Sequence, residues 1–216
     1  MRIVLIVAFA QFMQNLDATI IVTALPDMAH SFGTSASRMS AGITAYLLTA
    51  AVCIPASGWL ADRVGARNLF CAAIGLFTVS SIACGAATTF PMFIAARIVQ
   101  GSSSAMMAPV GRLLVLRYTE QKDLMRMLST LVWPGLLAPV LGPPLGGFIT
   151  SASSWRWIFY VNLPLGIVAI ALTLVFIPGQ WTRQRTPFDT PGFALLALAI
   201  ICLSYSFDVI GAHDID

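Results

Sequence analysis

Seven apolar runs, each about as long as a bilayer is thick, recur along the 216 residues with short polar connections between them. They cover residues 3–25, 41–61, 69–87, 91–116, 124–150, 157–177 and 191–210. Roughly 20 apolar residues in helical form cross the hydrocarbon core, and a helix satisfies its own backbone groups where no water can. The pattern predicts an all-α integral membrane protein with seven spanning helices. Composition agrees. Charged residues make up 10% of the chain and hydrophobic ones 58%, with a mean hydropathy of +0.85, whereas a soluble domain carries about 25% charged residues.

The connections alternate between two faces, and their basic residues are unequal. One face collects Arg2, Arg63, Arg67, Arg117, Lys122, Arg126, Arg183 and Arg185; the other has only Arg38 and Arg156. Basic loops stay inside, so the N-terminus is expected in the cytoplasm and the chain in the cell (inner) membrane. The net charge of +3 is scattered over short loops and forms no patch suited to nucleic acid. Arg2, the apolar run after it and Ala8-Phe9-Ala10 imitate a cleavable signal peptide. The apolar character continues to Leu25, with polar residues at helical spacing, so a retained helix is expected instead. Cys53, Cys71, Cys84 and Cys202 lie in or beside apolar runs without metal-site spacing, and His30 and His213 fall in predicted loops. No metal or other cofactor is expected, and no nucleophile–base cluster suggests an enzyme.

Polar residues inside the apolar runs carry the functional signal. Gln11, Gln14, Asn15 and Asp17 span a little under half the circumference of the first helix. Asp17 lies roughly 12 Å from that helix's outer end. An intramembrane carboxylate marks a functional site by default; the alternative is a hydrogen-bonding partner between helices. In the fourth run Arg97, Gln100, Gly101 and Ser104 fall at i, i+3, i+4 and i+7, one face of one helix. A guanidinium at that depth costs about 2.5–3.5 kcal/mol on insertion scales, so Arg97 needs water or an anionic partner. Arg112 shares nearly the same face about 22 Å further in, at the inner mouth of a cavity or at the lipid headgroups.

Between the second and third runs stands Gly58-Trp59-Leu60-Ala61-Asp62-Arg63-Val64-Gly65-Ala66-Arg67. Gly65 can supply the positive φ of a tight turn. Arg63 and Arg67 are a topology anchor on any reading, and Asp62 can pair with an arginine or bond to a helix end. Pro55 and Gly58 should bend the second helix near its inner end. The fifth run holds four glycines and four prolines within residues 134–147, which predicts a bent helix with a face free of side chains, open to a close neighbour. Trp155, Trp157 and Tyr160 suit an interfacial aromatic belt.

Several of these stretches resemble motifs of the major facilitator superfamily of transporters. The Gly58–Arg67 stretch resembles the loop between that family's second and third helices, a conformational latch carried here by Gly58, Asp62, Arg63, Gly65 and Arg67. Arg97-x-x-Gln100-Gly101 resembles the fourth-helix motif, whose arginine takes part in proton coupling. Leu16 to Pro26 resembles the first-helix signature of drug:proton antiporters, with Thr23 where asparagine is usual. Gly142, Pro143, Gly146 and Gly147 resemble the antiporter motif of the fifth helix. Trp155–Pro164 and Phe188–Gly192 resemble the fourteen-helix branch of those antiporters.

The resemblance implies the six-helix N-terminal bundle of a major facilitator fold over 1–178, built as a three-plus-three inverted repeat. A cytoplasmic linker and seventh membrane helix follow over 179–216. A C-terminal half of the transporter is expected as a missing partner, besides the lipid bilayer, protons and a small-molecule substrate. The implied activity is proton-coupled efflux of small lipophilic or cationic compounds by alternating access. Asp17 and Arg97 would couple protons, and Gln14, Gln100, Tyr46, Met106, Met107 and Trp133 would line a central substrate cavity. Glu120 and Asp123 are the candidates to pair with the latch arginines. A proton-coupled carrier of a specific metabolite on the same fold, or a membrane scaffold without transport, are the alternatives; charges kept inside the bilayer argue against the scaffold.

Overall fold

The computed structural model describes residues 1–179 and 187–213, and every regular element among them is helical. The first apolar run is α1, Arg2–Phe32. It extends well past Leu25, because Pro26 is absorbed within the helix rather than ending it. Gly33 ends it in the left-handed conformation at φ 62°, its N–H returning to Ala29 and His30, as a helix C-terminus requires. A short α2, Ala36–Met39, capped by Ser35, leads into α3, Ala41–Cys53. Pro55 then separates α3 from α4, Ala56–Val64, and the two parts of the second run bend by 61°. A proline has no N–H to continue the ladder, so the predicted bend falls where its donor is missing. Gly65, at φ 92°, turns the chain into α5, Ala66–Ala86.

The fourth run is α6, Phe90–Tyr118, capped by the Thr89 hydroxyl. The fifth is divided into α7, Leu124–Thr130, and α8, Trp133–Ala152, while the sixth is divided into α9, Trp157–Tyr160, and α10, Asn162–Phe176. The break in the fifth run sits at Leu131–Val132, not at Pro139, Pro143 or Pro144, which all lie inside α8. Pro134 accounts for it: it has no N–H to offer the Thr130 carbonyl four residues back, and it fits the first turn of the helix that follows. The seventh run is α11, Thr190–His213, which touches α3. Arg183, Arg185 and most of the linker lie outside the described residues.

By length and apolarity alone, four helices could cross a membrane, or five with the bent α3–α4 pair taken as one. The fourth run is long enough at 29 residues, but Arg97, Gln100 and a row of serines dilute it.

The packing repeats itself. α1 lies against α8 and α6 against α3; α5 lies against α6 and α1 against α10; α5 also meets α10, and α1 meets α6. Exchanging the first three spans for the second three maps each of these contacts onto another or onto itself, as an inverted repeat demands. Glycine makes the two equivalent crossings close. A Cβ on Gly101 of α6 would strike the Tyr46 carbonyl of α3. On Gly142 or Gly146 of α8 it would strike the hydroxyl of Thr19 or Thr23 of α1.

Two apolar clusters fill the bundle. Near the face where α1 begins, Val7, Met13, Phe70, Phe77, Met107 and Leu114 pack together. Towards the opposite face Ile20, Met28, Met39, Phe93, Trp155 and Phe159 do the same. Asp17, Ser81, Arg97, Gln100 and Asn162, all buried, interrupt α1, α5, α6 and α10 between the two clusters.

Candidate functional site

That polar stratum is one connected network. Asp17 is 1% exposed and Arg97 0%. Arg97 Nη1 donates to Asp17 Oδ2 at 2.9 Å and to Gln100 Oε1 at 2.7 Å, and its Nε donates to the Gly42 carbonyl at 3.3 Å. The other carboxylate oxygen, Asp17 Oδ1, accepts from Gln100 Nε2 at 3.0 Å and from Asn162 Nδ2 at 2.6 Å. Asn162 also donates to Ser81 Oγ at 2.9 Å, and Ser81 donates to the Phe159 carbonyl at 3.0 Å. The guanidinium carbon of Arg97 lies 4.3 Å from the centre of the Tyr46 ring, close enough for a cation–π contact. Cys84 Sγ reaches Gln100 Oε1 at 3.6 Å.

Three donors from α6 and α10 thus hold one carboxylate of α1, and Ser81 of α5 anchors Asn162. Desolvating the two charges is costly, and their attraction offsets that cost only when the remaining hydrogen-bonding positions are filled. Gln100 and Asn162 fill them on the acid side. Arg97 keeps one amine, Nη2, without a hydrogen bond.

Asp17 and Arg97 therefore meet inside the helix bundle rather than on the wall of an open cavity. A cavity of about 580 Å³ begins one helical turn away, lined by Gln11, Gln14 and Asn15 of α1 and by Ala108 and Arg112 of α6, with Leu128, Leu131, Val132 and Gly135 opposite. Gln14 lines it and donates to Ser104 Oγ at 3.4 Å, so this amide stands between the cavity and Asp17. Gln100 and Tyr46 belong to the buried network. Met107 is fully buried in the apolar cluster, and Met106 packs against the same cluster. Trp133 is 62% exposed and sits two residues, about 200° of helix, from the cavity-lining Gly135. Arg112, placed equally at a cavity mouth or at the headgroups by the sequence, lines the cavity.

Asn162 and Ser81 escaped the sequence reading. Both are single neutral polar residues in apolar surroundings, and Asn162 stands in a stretch read for its aromatic rings. The available signal was positional: in each of four helices a polar residue falls between two apolar blocks.

At the face where α1 begins, Asp62 Oδ1 accepts from Arg117 Nη2 at 3.5 Å, with both side chains partly exposed. Arg63 lies over the Trp59 ring at 5.1 Å, and Arg67 donates to the Leu174 carbonyl at 2.6 Å. Glu120 pairs with Lys122. Among the described residues neither Glu120 nor Asp123 reaches Arg63 or Arg67; the stretch expected as a loop is helical except at Gly65, and the ion pair joins Asp62 in the last turn of α4 to a base at the end of α6. A Cβ on Gly58 would meet nothing within 4 Å. Trp59 also packs against Phe188, centroids 4.8 Å apart and ring planes 56° apart, ahead of α11. In α8, Gly142 and Gly146 face α1, and Thr19 Oγ1 donates to the Ala138 carbonyl, one turn before Gly142, at 3.2 Å. Pro143 and Gly147 are exposed on another side of α8.

Comparison with known proteins agrees with this architecture. A family model described as the Major Facilitator Superfamily matches residues 7–209. A curated relative from Cronobacter sakazakii, named "Putative multidrug resistance protein MdtD", is 49% identical over 203 residues, which are 94% of this chain and 43% of that protein. A relative of the same name from Klebsiella pneumoniae subsp. pneumoniae is 48% identical over the same shares. The chain thus spans less than half the length of these curated relatives. Among solved structures, that of a D-xylose-proton symporter superposes with a TM-score of 0.70 at 15% identity, over 95% of this chain and 53% of the other. That of the human organic anion transporter MFSD10 (TETRAN) superposes with a TM-score of 0.72 at 16% identity, over 90% and 52%. At such identities the likeness is one of fold. With a family model running almost end to end over a bundle whose two triplets of helices pack alike, the chain belongs to the major facilitator superfamily.

Proposed function

We propose that this chain supplies the proton-coupling bundle of an exporter that exchanges protons for small lipophilic compounds by alternating access. Its N-terminus would lie in the cytoplasm and its helices in the inner membrane. The names of the relatives, which mention multidrug resistance, support the substrate range. The observation that carries the coupling is the buried Asp17 carboxylate with donors from α6 and α10.

A proton arriving on Asp17 cancels the charge that three donors and one cation are arranged around. Arg97 is then buried without a counter-charge, the arrangement that costs most. It must reach water or another acceptor, so the bundle relaxes to a state in which α1 and α6 are placed differently. Loss of the proton reverses the preference. A ligand or a proton shifts such an equilibrium only through its different affinity for the two states, and here the difference resides in the Arg97 counter-charge. The Gly58–Arg67 stretch would act on the same equilibrium from the membrane face, with Asp62 held by Arg117.

The test uses the full-length protein in vesicles with an imposed pH gradient. Asp17→Asn is expected to abolish gradient-driven transport while its folded fraction still binds substrate, with binding less dependent on pH. Undiminished gradient-driven transport by this variant overturns the assignment.

A further inference from the structure

The cavity beside the Asp17 network has a charge that nothing inside the described structure balances. Its polar lining is three uncharged amides, Gln11, Gln14 and Asn15, and one guanidinium, Arg112. No carboxylate lines it. The nearest acid along α1 is Asp17, already held by Arg97, Gln100 and Asn162. Arg97, Arg117, Arg67 and Arg156 have acceptors, Asp17, Asp62, the Leu174 carbonyl and the Gly85 and Ala87 carbonyls respectively, and Arg112 is the one guanidinium that lines this cavity. Among the described residues no hydrogen bond or ion pair engages Arg112. The amide oxygen of Gln14 is likewise buried without a donor.

The cavity is open on one side and Arg112 is exposed in it, and a cleft lined by a single sign of charge concentrates the opposite ion there. The lining that this chain supplies therefore favours a solute with an anionic group, because its one charged side chain is a guanidinium. Leu128 and Leu131 offer an apolar wall across from the amides, which suits an apolar body attached to that group. Arg presents a planar fork that matches a carboxylate or sulfonate.

We propose that this cavity takes small amphipathic anions, with Arg112 as the specificity-determining residue that binds their carboxylate or sulfonate. The proposal rests on the reading of the chain as part of an exporter and narrows its substrates. It departs from the cationic class that the family resemblance implies.

Dansylglycine and dansylcholine share a fluorophore and differ in carrying a carboxylate or a quaternary ammonium. Their binding to the full-length protein is measured in phosphatidylcholine vesicles and in vesicles that also contain phosphatidylglycerol. Dansylglycine is expected to bind roughly tenfold tighter than dansylcholine, the size of a charge-assisted hydrogen bond. Arg112→Gln should remove that advantage and leave dansylcholine binding unchanged or stronger, which also shows that the variant is folded. Arg112→Lys should keep most of it. A wild-type preference for dansylcholine, or an Arg112→Gln protein that retains the wild-type preference, overturns the proposal. So does a loss of the preference in phosphatidylglycerol vesicles that exceeds the shift the same vesicles cause in Arg112→Gln, since Arg112 then serves a lipid headgroup. Gradient-driven transport separates this from the exporter reading. A protein that binds dansylglycine through Arg112 but does not move it against a pH gradient defeats export and leaves the binding site standing. One that exports only dansylcholine defeats the site and leaves export standing.

Discussion

Arg97 Nη1 sits 2.9 Å from Asp17 Oδ2, and neither side chain is more than 1% exposed. The two residues are 80 positions apart and come from the first helix of each triplet, α1 and α6. Their meeting ties the two repeats together at the level where both apolar clusters stop. It also makes each residue the condition for the other being tolerated.

That interdependence predicts a sign reversal in a double-mutant cycle. Asp17→Asn alone should cost about 3–5 kcal/mol of stability, because it leaves a buried uncompensated guanidinium. Adding Arg97→Gln should recover most of the loss, since no charge then remains. Thermal unfolding of the purified full-length variants measures this. Gradient-driven transport should stay lost in the double variant; its return would show that the pair is structural.

Asn162 should behave as a positioning residue for Asp17. Asn162→Leu removes one of the three donors and leaves the Ser81 hydroxyl without its incoming hydrogen bond. A loss of about 1–3 kcal/mol is expected, together with an altered pH profile of transport at unchanged expression. A lowered melting temperature with the wild-type pH profile would assign Asn162 to packing alone.

The charged members of this site were legible in the sequence because a charge within an apolar run has no cheap structural explanation. Asp17 and Arg97 stood out by their charge, and Gln100 by its helical spacing from Arg97. Asn162 and Ser81 did not, because one neutral polar group costs little to insert and is common in membrane helices. The bends were half legible. Pro55 marks its own bend, but in the fifth run Pro134 sets the break while three later prolines stay within α8. A proline's effect depends on whether it falls in the first turn of a helix, and that turn is known only once the helix is placed. The cavity wall was the least legible part. Which face Trp133 or Met107 presents is decided by which neighbours claim the helix, not by residue type.

The glycines of α8 are predicted to differ by face. Gly142→Ala and Gly146→Ala would press a methyl against Thr19 and Thr23 of α1, at a cost of about 1–3 kcal/mol for overpacking. On Gly147 a Cβ would meet nothing within 4 Å, and Gly147→Ala should be neutral or slightly stabilising. Melting temperatures of the three variants decide it; equal losses at all three would mean that α8 does not rest on α1 as described.

Asp62 and Arg117 are expected to act on turnover rather than on binding. Their pair is partly exposed, so its loss should move global stability little. It does join the last turn of α4 to the end of α6, two elements on the same face of the bundle. Asp62→Asn and Arg117→Gln should each slow transport at unchanged substrate affinity, and the double variant should be no slower than the worse single one. Abolished binding in folded Asp62→Asn would contradict a latch role.

The seven-span topology makes the most direct prediction, and α6 is where it is most exposed to failure. On apolarity alone this helix does not qualify as a span, whereas α1, α5 and the joined α9–α10 do. Its insertion would depend on Asp17 accepting Arg97 from across the bundle and on the basic residues Arg117, Lys122 and Arg126 holding its far end inside. Reporter fusions after Arg67, Arg126 and Arg185 should all report cytoplasm, and fusions after Arg38 and Arg156 the opposite side. A fusion after Arg126 that reports the outside would mean that α6 does not cross, and the order of every later helix would invert with it. If the buried pair is what carries α6 across, Asp17→Asn should weaken the cytoplasmic signal of the Arg126 fusion while leaving the Arg67 fusion unchanged. An unchanged signal at both sites would mean that flanking charge alone sets the crossing of α6.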